Sequence, residues 1–163
     1  MFGLFNKKHG IVEQPVQRSS EAHGAPDQDY LKGLSQVTSD SAKFWFDMAH
    51  DLGTLPESGK MDIRPNGRLA AAAVAIERAA ALDPNHIAIW GERLLIQRYL
   101  AHGLSAFENA LSAAHQPDAA HSERTRLALN QFRRTLDDAV LLFPDDEWFR
   151  DQRLCAYEDF GWS

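Results

Sequence analysis

The chain has 163 residues, one cysteine and a formal net charge of −6 at pH 7. This length is enough for one domain with its own hydrophobic core. A single cysteine excludes an intramolecular disulfide, and the longest apolar stretch, residues 69–82, is interrupted by Glu77 and Arg78, which excludes a membrane span of about 18 residues. Because no secretory leader pattern opens the chain, we expect a protein of the reducing cytoplasm.

Residues 1–29 contain Gly, Pro, Ser, Gln and Glu without hydrophobic periodicity. This composition predicts a disordered N-terminal tail, followed by a single helical domain over residues 30–163. An apolar cluster of Phe2, Leu4 and Phe5 precedes two lysines, which are too few for stable membrane anchoring. We expect either a frayed start or a segment that contacts a partner.

The first helix is predicted within residues 39–52, with Gly53 in a left-handed cap at its end. Its apolar side chains recur at the spacing of an amphipathic helix and should face the core. They are Trp45, Met48, Ala49 and Leu52. Residues 54–66 contain two prolines and are predicted as a loop. A second helix, residues 67–82, is rich in alanine and has high intrinsic helicity.

A third helix is predicted over residues 86–102, and it is apolar around most of its circumference. Such a helix packs between neighbours on both sides, so we expect Trp90 and Leu94 in the core. Gly103 is predicted to end this helix. The capping-box pattern that begins at Ser105 then predicts a short antiparallel hairpin and a further helix, residues 106–114.

Two more helices are predicted, over residues 120–143 and about 145–159. Pro144 ends the former, and Asp145 or Asp146 caps the latter. Seven histidines occur. We expect the two at predicted helix C-termini, His102 and His115, to be capping or surface residues. Cys155 lies between Leu154 and Ala156 and is predicted to be a buried thiol.

Two sets of small or apolar residues have the same internal spacing, and each is followed by a proline, which comes one position earlier in the second set. The first set is Ala72, Ile76, Ala79 and Pro84, and the second is Ala106, Ala110, Ala113 and Pro117. Their separation of about 34 residues is typical of a helix-turn-helix repeat. Residues 53–118 therefore resemble the tetratricopeptide repeat family.

That resemblance implies an all-α fold of stacked antiparallel helical hairpins, five to six helices in all, with a concave peptide-binding face. The array is irregular, because the next matching proline, Pro144, does not lie a whole number of such repeats beyond Pro84. No binding residue of the family has a counterpart here.

No pattern of catalytic or cofactor-binding residues occurs. The sequence lacks a phosphate-binding glycine loop, a nucleophile-elbow motif and any metal-ligand spacing of histidines or cysteines. We therefore expect a non-enzymatic protein with no catalytic residue, no metal and no cofactor.

The acidity is concentrated at one end. Residues 137–163 hold eight acidic and two basic side chains, which accounts for the whole net charge and disfavours nucleic acid as a partner. Aromatic anchors among carboxylates suit a basic protein partner. The candidate partner-binding residues are Asp145, Asp146, Glu147, Trp148, Phe149, Asp151 and Trp162.

Two functional hypotheses follow. The first is a tetratricopeptide-repeat-like adaptor or chaperone-like scaffold that holds a peptide or protein partner in a groove between helices. The second is a small acidic inhibitor of the immunity-protein type, which covers a basic enzyme with its acidic aromatic C-terminal end. Neither hypothesis involves nucleic acid or a membrane, and both leave the oligomeric state open.

Overall fold

A computed structural model of the chain describes residues 29–53 and 67–162. Within these ranges the chain forms six helices and no strand, which confirms the all-α prediction. The helices are α1 (Asp29–Gln36), α2 (Ala42–Gly53), α3 (Arg68–Leu82), α4 (Ile87–Ala113), α5 (Ala119–Leu142) and α6 (Glu147–Phe160). The predicted loop, residues 54–66, and the predicted tail, except Asp29, lie outside the described residues.

Aspartates begin the last two helices. Asp118 caps α5 by accepting hydrogen bonds from the backbone N–H groups of Ala120 and His121. Asp146 caps α6 by accepting from the N–H groups of Trp148 and Phe149. A side-chain oxygen there satisfies N–H groups that have no partner within the helix. The predicted cap of the last helix is therefore confirmed, and Asp146 provides it.

The predicted break at Gly103 is wrong, because α4 runs without interruption from Ile87 to Ala113. Gly103 and Leu104 are buried inside it, and Nε2 of His121 in α5 lies 3.0 Å from the Leu104 carbonyl oxygen. A glycine costs a helix only about 1 kcal/mol relative to alanine, and close packing of the buried segment offsets that cost. His102 was predicted to lie at a helix C-terminus. It lies instead within α4, and its ring packs against the ring of Phe160.

The helices enclose two hydrophobic cores that share α4. The first core contains Trp45, Ala49 and Ile76 from α2 and α3, and α4 contributes Ile89 and Ile96 to it. In the second core, the α4 residues Trp90, Leu94 and Ala101 pack against α5 and α6 residues. These are Phe132, Leu136, Ala139, Phe149 and Ala156. The prediction that Trp90 and Leu94 are core residues is confirmed, and α4 lies between the two cores.

Short turns connect α3 to α4, α4 to α5 and α5 to α6, so these neighbouring helices run antiparallel. The α3–α4 and α5–α6 turns are alike, with Pro144 of the later turn in the place of Pro84. In both, the residue after the helix donates to the carbonyl four residues earlier, Asp83 to Ala79 and Phe143 to Ala139. The residues before the next helix, His86 and Asp146, have nearly the same dihedral angles, φ −84°, ψ 110° and φ −86°, ψ 111°.

The correspondence extends into the helices on both sides of the turn. When Pro84 is aligned with Pro144, buried positions match in pairs. They are Ala72 and Phe132, Ile76 and Leu136, Ala79 and Ala139, and Ile89 and Phe149. Residues 67–97 and 127–157 thus form two similar units, a first unit built on α3 and the start of α4, and a second unit built on α5 and α6.

Cys155 is exposed, so the prediction of a buried thiol is wrong. The reason is that no described helix packs on the outer side of α6. Its neighbour Leu154 is 62% exposed, whereas the counterpart in the first unit, Leu94, is 2% exposed because α5 covers it. Helix α6 is therefore the open end of the described array.

Candidate functional site

Three of the seven candidate residues at the acidic end have structural roles. Asp146 is the N-cap of α6, and Phe149 is 1% exposed in the second core. Trp162 stacks on Phe160, with ring centroids 5.0 Å apart, and lies against Phe132. Phe149 therefore cannot contact a partner while the chain is folded in this way.

The other four candidates, Asp145, Glu147, Trp148 and Asp151, are at least partly exposed. Trp148 is 39% exposed and forms one wall of a depression of about 230 Å³ between α4 and α6, which we call the α4–α6 notch. Its lining residues are Ile87, Ala88, Gly91, Leu95, Asp146, Trp148 and Phe149. A Cβ at Gly91 would lie 3.9 Å from the Trp148 ring. The absence of a side chain at Gly91 therefore leaves space in the notch beside Trp148.

In each unit, hydrogen bonds among an acid, an arginine and a third polar residue join the two helices. In the first, both nitrogens Nε and Nη2 of Arg93 donate to the Glu77 carboxylate at 2.7 Å, and Gln97 Nε2 donates at 2.8 Å. In the second, Arg153 Nε donates to Asp137 Oδ1 at 2.7 Å and the Tyr157 hydroxyl donates at 3.2 Å.

These contacts recur at matching positions of the two units and neutralise the acids concerned. The hydrogen bond to Asp137 is the largest cause of the raised pKa of Arg153, which therefore keeps its charge. Asp159 is also engaged, since Arg98 Nη2 donates to it at 2.8 Å. Part of the acidic end thus serves to attach α6 to α4 and α5.

A larger depression, of about 600 Å³, lies on α3, α4 and α5, and we call it the α3–α5 groove. Apolar side chains form most of its surface. They are Ala73, Val74, Ala81, Leu100 and Ala128. Glu77, Arg78, Gln97 and Gln131 complete the lining. Glu77 is held by Arg93, and Arg78 donates to the Leu34 carbonyl oxygen and lies over the Trp45 ring, so the charges of the lining are engaged with the protein.

Three side chains that line the groove are smaller than the residues paired with them when Pro84 is aligned with Pro144. Ala73 corresponds to Arg133, Gln97 to Tyr157 and Leu100 to Phe160. In the second unit these three larger residues all lie around Trp162. Its ring centroid is 5.7 Å from the Arg133 guanidinium, 5.6 Å from the Tyr157 ring and 5.0 Å from the Phe160 ring. The surface that holds an indole in the second unit is thus open in the first.

One buried polar atom in the groove has no hydrogen-bond partner. Gln97 is 5% exposed, and while its Nε2 donates to Glu77, its Oε1 accepts no hydrogen bond. A buried acceptor without a donor costs about 1–3 kcal/mol. Because this oxygen has almost no solvent-accessible surface, a ligand in the groove could reach it only after the Gln97 side chain moved.

The sequence did not predict either depression. The groove depends on contacts between helices that are far apart in the chain. The similar sequences around Pro84 and Pro144 nevertheless indicate which positions of the two units correspond. Extending that alignment in both directions pairs Glu77 with Asp137 and Arg93 with Arg153. It also identifies Ala73 as a position at which the first unit has a much smaller residue than the second.

No group of three or more His, Cys, Asp or Glu side chains among the described residues could hold a metal ion. None of the six described helices is both long enough and apolar enough to span a bilayer. Comparison of the chain with protein families, with curated proteins and with solved structures found no significant match.

Proposed function

We propose that this protein is a non-catalytic interaction module that binds an apolar segment of a partner protein in the α3–α5 groove. The predominantly apolar α3–α5 groove is the observation on which this proposal rests. Binding a segment between helices is also how tetratricopeptide repeat proteins, which the sequence resembles, hold their partners. The proposed function is thus an adaptor or scaffold.

The chemistry of the groove favours an aromatic side chain. Its apolar lining gains free energy by burying an aromatic ring, and the corresponding surface of the second unit already packs an indole. Because the charges of Glu77 and Arg78 are already paired within the protein, the groove has little preference for a charged ligand. A segment with a central tryptophan would bury its indole against this lining.

Selection from a displayed peptide library with a fixed central tryptophan tests this proposal. The full chain should select peptides, and calorimetric titration should give dissociation constants below about 100 μM, or about −5.5 kcal/mol of binding free energy. Ala73→Arg introduces the residue of the second unit and should abolish binding. The matched control, Ala88→Arg, changes the α4–α6 notch instead and should leave the affinity unchanged.

Two results would overturn the proposal. One is a selection that yields no peptide whose binding depends on Ala73. The other is a set of peptides that lose affinity with Ala88→Arg but keep it with Ala73→Arg. Far-ultraviolet circular dichroism and thermal unfolding of both variants exclude loss of folding as the cause, which matters most for Ala73 because it is half-buried against the first core.

A second candidate function is suggested by the α4–α6 notch. Trp148 and its apolar neighbours lie beside the acids Asp145, Glu147 and Asp151. A basic partner with an apolar anchor would complement this surface in both charge and shape. This surface would suit an inhibitor of the immunity-protein type that covers a basic enzyme.

The salt dependence of association distinguishes this second candidate. Carboxylates steer a basic partner, and steering weakens as the screening length falls from about 10 Å at 0.1 M salt to about 3 Å at 1 M. For partners bound at the notch, Asp145→Asn with Glu147→Gln should slow association, and Trp148→Ala should mainly speed dissociation. If the association rate changed neither with salt nor with these substitutions, the α3–α5 groove would remain as the single candidate binding surface.

A further inference from the structure

We infer that the α4–α6 notch binds the side chain of an arginine in a partner protein, with the guanidinium against the Trp148 ring and beside the Asp151 carboxylate. This inference rests on the second candidate function and deepens it, because it names the group that the notch receives. It does not depend on the α3–α5 groove. Three observations carry it: the surroundings of the tryptophans, the carboxylates near Trp148, and the size and lining of the notch.

Trp148 differs from the other three tryptophans of the chain, because no cation among the described residues lies over its ring. Each of the others has a guanidinium within the range of about 6 Å at which a cation is attracted to an aromatic ring. The pairs are Trp45 with Arg78 at 4.4 Å, Trp90 with Arg93 at 4.7 Å and Trp162 with Arg133 at 5.7 Å. Since Trp148 is 39% exposed, a cation from a partner can reach its ring.

Arg93 shows how this chain binds a guanidinium between an indole and a carboxylate. Its Nε and Nη2 donate to Glu77 at 2.7 Å, and its guanidinium lies over the Trp90 ring. Trp90 and Arg93 are three residues apart on α4, and side chains at this spacing are neighbours on a helix surface. The residue three positions after Trp148 on α6 is Asp151. The ring and an acceptor are therefore adjacent on α6, and a partner's guanidinium would complete the same arrangement.

The carboxylates near Trp148 have no close ion pair within the described part of the chain. Asp145 and Asp151 take part in none of its salt bridges, in contrast to the acids that attach α6 to α4 and α5. Glu147 lies 3.8 Å from Arg150, and its side chain is 88% exposed. Such a contact between exposed side chains contributes little to stability. A basic side chain can therefore approach Trp148 without displacing a close internal ion pair.

The size and lining of the notch suit one arginine side chain. Its volume of about 230 Å³ is below the roughly 300 Å³ at which pockets for small molecules begin. Ile87, Gly91 and Leu95 form an apolar part of the lining, against which an arginine can bury its aliphatic stem while the charged group stays near water. A guanidinium is planar and less strongly hydrated than an ammonium group, so it stacks on aromatic rings and pairs with carboxylates more readily. The notch therefore favours arginine over lysine.

Titration of the full chain with short peptides, followed by nuclear magnetic resonance, tests the inference. The probes are end-blocked Gly-Gly-Arg-Gly-Gly and the same peptide with lysine, citrulline or norleucine at the centre, where citrulline keeps the shape of arginine without its charge. The arginine peptide should shift the Trp148 indole N–H signal, assigned with Trp148→Phe, and the Gly91 amide signal. It should bind about tenfold more tightly than the citrulline and norleucine peptides, which corresponds to about 1.4 kcal/mol, and more tightly than the lysine peptide.

Two variants and a matched control locate the binding site. Asp151→Asn removes the charge with little change of shape and should weaken binding of the arginine peptide about fivefold, and Trp148→Leu should do the same. Glu158→Gln removes one charge from an exposed position two turns further along α6, about one screening length away at 0.1 M salt, and should change the affinity less than about twofold. The Gly91 amide reports binding in all three variants, and thermal unfolding verifies that each is folded.

The inference is overturned if the arginine peptide shifts neither signal, or if Asp151→Asn and Glu158→Gln weaken its binding equally. It is also overturned if the lysine or the norleucine peptide binds as tightly as the arginine peptide. Either of these last two results would leave the second candidate function standing, because a basic partner could still place a lysine or an apolar anchor in the notch. That function fails separately, when association at the notch depends neither on salt nor on the acids.

Discussion

Trp90 connects packing and hydrogen bonding in the second core. It is 6% exposed, its ring meets that of Phe143 edge-on, and its Nε1 donates to the Pro84 carbonyl oxygen at 2.7 Å. Truncating a buried tryptophan costs about 3–5 kcal/mol. Trp90→Ala should therefore lower the free energy of unfolding by about that amount in chemical denaturation.

Trp148 provides the matched control for this prediction, because it is a tryptophan on the neighbouring helix with a partly accessible ring. Trp148→Ala should cost about 1 kcal/mol or less, as expected for a partly exposed site. Equal losses for the two variants would mean that the second core does not depend on Trp90 as its contacts indicate.

The burial of single residues could be predicted from the sequence where helical periodicity determines which side of a helix they occupy. Trp45, Trp90 and Leu94 were predicted in the core and are buried. Cys155 was not predicted correctly, since its exposure depends on the absence of a described helix beyond α6. Phe149 shows the same limit, because sequence spacing does not distinguish an aromatic anchor for a partner from one that fills the protein's own core.

The residue before α4 and the residue before α6 differ in whether their side chain caps the helix. His86 and Asp146 have almost the same backbone conformation, but the His86 side chain makes no capping hydrogen bond. His86→Asp should therefore create a cap and stabilise the protein by about 1 kcal/mol. Thermal unfolding measures this, with His86→Ala as the reference that lacks a capping oxygen; equal stabilities of the two variants would contradict the prediction.

The reverse change applies to α6. Asp146→Ala removes the oxygen that accepts from two backbone N–H groups and should cost about 1 kcal/mol. Asp145→Ala removes a neighbouring carboxylate that is not the cap and should cost clearly less. If both substitutions lowered the melting temperature equally, local negative charge rather than capping would be the cause.

Helix ends were predictable from sequence where a specific side chain or proline sets them. Asp146 and Pro144 are such cases, and the prediction agrees with the start of α6 and the end of α5. Gly103 and Ser105 were misleading, because a glycine and a capping-box pattern also occur inside helices. There the burial of Leu104 against α5 outweighs the local preference. Helix α1 was not predicted, although Leu31 and Leu34 recur in it at helical spacing, because it is only eight residues long and contains a glycine.

The position of α4 between the two cores determines how the molecule opens. Its middle contributes to both cores, whereas α6 borders only the second and has an exposed outer side. Amides in the middle of α4, such as those of Leu94 and Ala101, should exchange hydrogen only on global unfolding, and those of α6 should exchange through partial opening. Native-state hydrogen exchange measures this order, and equal or greater protection in α6 would contradict it.

The two cores also differ in a way that can be followed optically. Trp45 lies in the first core, under the Arg78 guanidinium, and Trp90 lies in the second, under that of Arg93. Each half of the molecule thus carries its own buried fluorophore. Two variants, each with Trp45 or Trp90 as the sole tryptophan and phenylalanine at the other three positions, would report the two halves separately. Superimposable emission changes during denaturation would show that α4 couples the cores into one cooperative unit, and separate changes would show that each core melts by itself.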